Sequence, residues 1–316
     1  MDLRQLAALT AVADHHSFSA AARALHTVQS NVSTHVARLE REVGATLVHR
    51  ASGQLTEAGE IVVSRARRIQ AELDALVADV ASSLGEISGQ VRLGIIGTTG
   101  RWLLPPLLAA MAEAHPKVSL VTIDATTTSL IPQLATGRLD LAIVNLPVTD
   151  PDVAVDELFE EEHVVLVPGQ HPLAAHDRLS LADLAGTPLL LEPPGTGFRD
   201  DLDDDAARVG VTLQPQAEVD GMRLLASLAY QGYGAAILPA SAIVEWTDGT
   251  WKTIPLDGTS HRAVGLATPR RGRLSAPARA TVDLVHRLVA TQVPSRQGLH
   301  VTTAAAADDG AGVSRT

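Results

Sequence analysis

Apolar residues in 3–13 fall on one face, at Leu3, Leu6, Leu9 and Ala13, and that spacing predicts a helix. Ser17 is an N-cap candidate before a short alanine-rich helix over 18–25. A tight turn at His26, Thr27 and Val28 leads into a third helix over 29–42, with Val32, Val36 and Leu39 inward and Gly44 closing it. Two short stretches, 46–50 and 54–56, flank Ala51, Ser52 and Gly53 and predict a small wing. Thr56 and Glu57 open a long helix reaching about Leu84. Its apolar positions, Val62, Ala66, Ile69, Leu73, Leu76 and Val80, alternate in steps of four and three, which is a heptad seam. A helix of that length, about 42 Å, has no partner within the N-terminal part, so the seam predicts dimerisation.

Gly85 and Gly89 mark a hinge, and the pattern then changes to alternating strands and helices. Strands are expected at 91–96, 118–124, 139–145, 188–191, 216–219, 235–238, 251–254 and 262–267, with extended chain at 153–159 and 163–167. Helices are expected at 101–115, 129–136, 197–209, 221–231 and 276–291. Such alternation builds open α/β sheets. The two sub-blocks, with a return near 263, predict two lobes crossed by the chain twice. The expected division is a DNA-binding unit at 1–58, a linker and dimerisation helix at 57–85, and a sensor at 90–292. Within the sensor, one lobe takes about 90–165 and 263–292, the other about 166–262, and a disordered tail follows at 293–316, with Ala304 to Ala307 in it.

Composition narrows the chemistry. With 46% hydrophobic but only 3% aromatic residues, the core must rest on Leu, Val, Ile and Ala. The chain has no cysteine, which excludes disulfides, thiolate metal sites and thiol redox sensing. Neither a signal peptide nor an apolar run of membrane length is present, so a cytoplasmic protein that does not engage the membrane is expected. The net charge of −11 is uneven: residues 1–60 carry −1, residues 61–84 sum to zero, and the remainder carries −10. The N-terminal part is therefore not a basic stripe of the kind that neutralises phosphates. His15, His16, His26, His35 and His49 add donors there.

Helix, short turn and helix at this spacing form a DNA-reading motif. The segment FSAAARALHTVQSNVS (18–33), followed by RLEREVGATL (38–47) and LTEAG (55–59), resembles the helix-turn-helix of LysR-type transcriptional regulators. LPPL (104–107), GRLDLA (137–142), HPLA (171–174) and GYGAAILP (232–239) resemble that family's sensor. The resemblance covers about 1–291. It departs at His16, where a glycine is usual, and in a wing that is a few residues short and lacks a second arginine. It implies an all-α winged helix-turn-helix domain and a linker helix, joined to a two-lobed, periplasmic-binding-protein-like (type 2) α/β sensor. It also implies homodimers or homotetramers on double-stranded promoter DNA, controlled by a small-molecule effector between the lobes, with RNA polymerase a partner if the regulator activates. No catalytic residue, metal or cofactor is expected.

On the third helix, Gln29, Ser30, Asn31, Ser33, Thr34, His35 and Arg38 are expected to face DNA. Gln and Asn can pair with adenine, Arg with guanine, and Ser or Thr with either base or phosphate. Arg38 could equally pair with Glu42 one turn on. Ser19, Arg23 and Arg50 are phosphate candidates. In the sensor, Thr98, Thr99 and Gly100 follow a strand and open a helix, where free N–H groups favour anions. Thr126, Thr127, Thr128 and Asn145 also stand at carboxyl ends of strands, where open sheets bind ligands. The family resemblance places Thr98, Thr99, Thr127 and Asn145 among effector contacts, and an asparagine rather than an arginine at 145 speaks against a diacid. The second lobe offers Thr196, Gly197, Phe198 and Met222. Each threonine could also be a plain helix cap. An oxidoreductase would need a glycine fingerprint that the loop at 97–100 lacks, and a secreted binding protein would need a signal peptide.

Overall fold

The computed structural model describes residues 1–244 and 250–302; of the expected tail, 303–316 lie outside the described residues. Helix α1 (Leu3–His15) starts from a reciprocal cap, in which Gln5 N donates to Asp2 Oδ1 at 2.9 Å and Asp2 N donates to Gln5 Oε1 at 3.0 Å. Ser17 caps α2 (Phe18–Ala24) by accepting from Ala20 N. Helix α3 (Gln29–Val43) ends at Gly44, whose φ is +77°. These helices bury Leu9, Val12, Ala21, Val36 and Leu39 in one core, with Leu47 and Val48 of the wing.

The wing is reduced to a single bridge, Val48 to Leu55, around the turn at 49–53. At its tip, Gly53 has φ +70°, and a Cβ there would stand 2.3 Å from the His16 carbonyl oxygen. The wing is thereby seated under the end of α1.

Thr56 caps α4 (Glu57–Ser83), the expected linker helix. The seam predicted along it divides by burial. Ala66 is buried in the N-terminal core, whereas Ile69, Leu76 and Val80 are exposed. Asp79 of α4 accepts from Ala276 N and Arg279 of the sensor. Arg68 donates to the Ala135 carbonyl and to Asp152. Asp14 of α1 accepts from both Arg67 of α4 and Arg138 of the sensor.

The sensor runs β1 (Ser88–Ile95), α5 (Gly97–Ala114), β2 (Lys117–Asp124), α6 (Thr127–Ala135), β3 (Leu141–Asn145), β4 (Val153–Glu161), β5 (His163–Pro168) and β6 (Leu179–Ser180). It continues with β7 (Pro188–Leu191), α7 (Gly197–Arg208), β8 (Gln214–Glu218), α8 (Met222–Tyr230), β9 (Ala235–Pro239), β10 (Trp251–Asp257), β11 (Arg262–Pro269), α9 (Ala276–Gln292) and β12 (Leu299–Val301). Two six-stranded sheets result, ordered β12-β4-β11-β3-β1-β2 and β6-β10-β5-β9-β7-β8. The chain leaves the first sheet after Glu161 and enters the second at His163. It returns through residues 258–261 into Arg262. The two crossings expected from sequence are thus single short joints lying side by side, with Arg262 in register with Glu161.

Two differences from the sequence expectation have physical reasons. Helix α5 begins at Gly97, not at 101, and carries Pro105 and Pro106 inside it. Burial of Thr99, Trp102, Leu103, Leu107 and Met111 against the first sheet outweighs the helix-breaking signal of the glycines and prolines. The tail expected from 293 starts with structure, because β12 pairs with β4 at the sheet edge. A three-residue edge strand carries no periodic signal.

Candidate DNA interface and effector cleft

The third helix buries Val32, Val36 and Leu39, which turns Gln29, Ser30, Asn31, Thr34 and Arg38 outward, all exposed; Ser33 and His35 are half-buried. Several of these side chains are already oriented. Ser19 Oγ donates to Gln29 Oε1 at 2.9 Å, Asn31 Nδ2 donates to Thr27 Oγ1 at 2.9 Å, and Thr34 Oγ1 donates to the Ser30 carbonyl. The alternative partner for Arg38 is engaged elsewhere: Glu42 takes the Met1 ammonium and the Gln5 amide. The side chains of Arg38 and Arg23 are exposed and have no hydrogen bond or ion pair among the described residues. Arg50 differs. It donates to Glu40 at 2.5 Å and to Ser33 Oγ at 3.3 Å, and its guanidinium lies 5.0 Å over the Phe18 ring. Glu40 also accepts from Leu47 N and Val48 N, so Arg50 and Glu40 together fasten the wing to α2 and α3.

In the sensor, Arg262 joins Thr98 of the first lobe to Phe198 of the second, and Thr127 is tied to Asn145 within the first lobe; no hydrogen bond or ion pair among the described residues brings Gly100, Thr126, Thr128, Thr196, Gly197 or Met222 to these side chains. Helix α5 has no side-chain cap, and the N–H groups of its first turn, Gly97 to Thr99, have no intrahelical acceptor. Thr98 Oγ1 accepts from Arg262 Nη2 at 3.3 Å, and the Thr99 hydroxyl is buried without a partner. Thr127 Oγ1 accepts from Asn145 N, which ties the start of α6 to the end of β3; Asn145 Oδ1 is buried and unpartnered. Thr126 and Thr128 hydrogen-bond to each other at 3.0 Å. Gly100 lies one turn into α5, where a Cβ would stand 3.3 Å from Ile95 Cγ2, so this position faces β1. From the second lobe, Thr196 caps α7 by accepting from Arg199 N, and Phe198 and Met222 are half-buried at the starts of α7 and α8. Gly197, the first residue of α7, is exposed.

Charged residues that the sequence reading passed over hold this region together. Glu161 is fully buried and accepts from Arg262 Nε at 2.8 Å and from Ser241 N at 2.9 Å. Arg262 also lies 5.8 Å from the Phe198 ring centroid. His163, 3% exposed, packs edge-on against Phe198, and burial with the nearby Arg262 pulls its pKa down to about 4. Burial pushes the Glu192 carboxyl above the usual carboxylate range, with Arg262 and Thr196 acting in the opposite sense. Arg223 of α8 reaches Asp124 of β2 at 2.6 Å. A Cβ on Gly97 would lie 2.9 Å from both Arg223 Nε and Asp124 Oδ1. This ion pair closes one lobe on the other directly over the start of α5. One sequence signal was available: Glu160, Glu161, Glu162 and His163 form a charged run between two apolar strands.

A DNA-reading three-helix head, a long linker and a two-lobed sensor define a ligand-controlled transcriptional regulator. Residues 3–60 match the bacterial regulatory helix-turn-helix protein, lysR family, and residues 84–290 match the LysR substrate binding domain. The chain belongs to the LysR family of DNA-binding transcriptional regulators, which are not enzymes. It is 32% identical over 300 residues to a probable hydrogen peroxide-inducible genes activator of Mycobacterium leprae, covering 91% of this chain and 94% of that protein. It superposes on a full-length cysteine-to-aspartate variant of OxyR from Pseudomonas aeruginosa with a TM-score of 0.72 at 25% identity, covering 92% of this chain and 95% of that one. It also shares its fold with full-length CbnR complexed with its target DNA (TM-score 0.64, 24% identity, 91% and 100% covered). No helix among the described residues is long and apolar enough to cross a membrane.

Proposed function

We propose that this regulator acts in the cytoplasm as a homo-oligomer, reads promoter DNA through α3, and responds to a small molecule bound reversibly between its lobes. The DNA reading is carried by the outward face of α3, where Gln29, Ser30, Asn31, Thr34 and Arg38 are all exposed and Arg38 is free of Glu42. Ser33 and His35 flank that face, and Ser19 and Arg23 stand ready for phosphates. Oligomerisation rests on Ile69, Leu76 and Val80 of α4, which leave an apolar stripe in water. If the regulator activates, the assembled form contacts RNA polymerase.

The effector reading is supported by the unoccupied N–H groups of α5, the buried Thr99 and Asn145 oxygens without partners, and the Phe198 wall opposite. The relatives carry names of peroxide-inducible activators, yet this chain has no cysteine. Its signal is therefore bound and released, with no thiol oxidised. A gel-shift titration on the DNA upstream of its own gene, at two salt concentrations, tests both parts. Arg38→Ala should weaken specific binding by about 1–3 kcal/mol, and hydrogen peroxide should leave the wild-type curve unchanged. Equal binding to scrambled DNA would refute the DNA reading, and a peroxide-dependent shift would refute the effector reading.

A further inference from the structure

Where α4 runs along the first lobe, the two enclose a cavity of about 270 Å³, remote from the cleft. Its floor is apolar, formed by Leu134, Leu139, Leu274 and Ala278 of the lobe with Ala71 and Ala75 of α4. Four arginines line it: Arg65 and Arg68 from α4, and Arg271 and Arg273 from the loop after β11. Three acids line it as well, one fewer than the arginines, and of these Glu72 has no hydrogen bond or ion pair among the described residues. Asp152 takes Arg68 at 2.9 Å and lies 4.0 Å from Arg271. Asp140 accepts from Arg92 N at 2.7 Å, and Glu72 lies beside Gly272. Arg65 and Arg273 have no hydrogen bond or ion pair among the described residues. Both, together with Arg68 and Glu72, also border the groove on the adjoining face of α4, where Ile69, Leu76 and Val80 form the stripe proposed above to meet a second copy.

An apolar floor beneath unpaired guanidinium groups is the chemistry of a site for an amphiphilic anion. Arginine binds carboxylate or phosphate in a two-pronged geometry, and the floor shelters a short hydrocarbon body. We propose that this junction is a second ligand site, distinct from the cleft, for a small organic anion with one carboxylate or phosphate group on an apolar body. The head group sits between Arg65 and Arg273, and the body lies on Leu134, Leu139 and Leu274.

The full-length protein is titrated with hexanoate, hexyl phosphate and hexanamide, with binding read by saturation-transfer NMR and calorimetry. At least one of the two anions should bind at millimolar concentration, and which of them binds more tightly identifies the head group. Hexanamide, the same length without charge, should bind about tenfold more weakly or not at all. The double variant Arg65→Gln, Arg273→Gln should keep the wild-type melting temperature and the wild-type oligomeric state by light scattering while losing about tenfold in anion affinity. Arg223→Gln, at the cleft, should leave anion affinity unchanged. Equal binding of hexanamide, no binding of either anion, or retention of affinity by the double variant would overturn the proposal. Loss of affinity in Arg223→Gln alone would place the anion in the cleft and would also overturn it.

Discussion

Replacing Glu161 by glutamine keeps its shape and removes its charge. In the wild type, this fully buried carboxylate neutralises Arg262, whose side chain is only 12% exposed, and accepts from Ser241 N. Without it, a nearly buried guanidinium is left with the Thr98 hydroxyl and the influence of the Glu192 carboxyl. Breaking such a pair from one side costs about 3–5 kcal/mol. The slight exposure of Arg262 lets water reach it and points to the lower end, about 3 kcal/mol. For a domain of the sensor's size, each kcal/mol moves the melting temperature by about 2–4 °C, so the expected fall is about 6–12 °C. The assay is thermal unfolding followed by the fluorescence of the sensor's tryptophans. Adding Arg262→Met to Glu161→Gln removes the stranded charge and should recover at least half of the loss. A fall below about 2 °C in the single variant, or a double variant worse than the single, would refute the reasoning.

Two further outcomes follow from local geometry. His163 stays neutral in the fold until pH falls to about 4, whereas in the unfolded chain it takes up a proton below about 6.5. The unfolded state therefore binds more protons in this window, and stability declines as pH drops from about 6.5 to about 4. The decline should reach about 2 kcal/mol by pH 5. His163→Leu should flatten the difference between urea midpoints at pH 7 and pH 5, and an unchanged difference would count against the assignment. His16 closes α1 with φ +49°, a left-handed conformation that costs a side-chain-bearing residue about 1–2 kcal/mol. Offset by the looser unfolded chain, His16→Gly should stabilise the N-terminal domain by about 0.5–1 kcal/mol, read as slower amide exchange across residues 1–60. Faster exchange would show that the His16 side chain contributes more than its backbone strain costs.

The elements most legible in the sequence were those whose signal is local. The helices of the head, the linker and the strand–helix alternation announce themselves within about ten residues. The cap at Ser17, the stop at Gly44 and the opening at Thr56 all stand where the residue chemistry asks for them. The threonines at strand ends were equally visible, because the chain itself puts them before helices. What could not be read was the chemistry made by distance. Glu161 and Arg262 are 101 residues apart and meet only because β4 and β11 lie side by side. Arg223 and Asp124 meet only because α8 packs over the first lobe. Arg50 is a phosphate candidate from sequence, and its engagement with Glu40 and Phe18 depends on how the wing folds back. Each is a pairing between elements, and no periodicity encodes it.

The tie from Asp14 to both Arg67 and Arg138 has a mechanical consequence. It links the head, the start of α4 and the first lobe through one carboxylate, so a shift of the lobe is passed to the head at the start of α4. The 27 residues of α4 span about 40 Å, and the helix acts as a pointer. A tilt of about 5° at its sensor end sweeps the other end by about 3.5 Å, close to the rise of one base pair. A small angular change at the sensor end of α4 is thereby magnified at the head into a displacement of about one base-pair step.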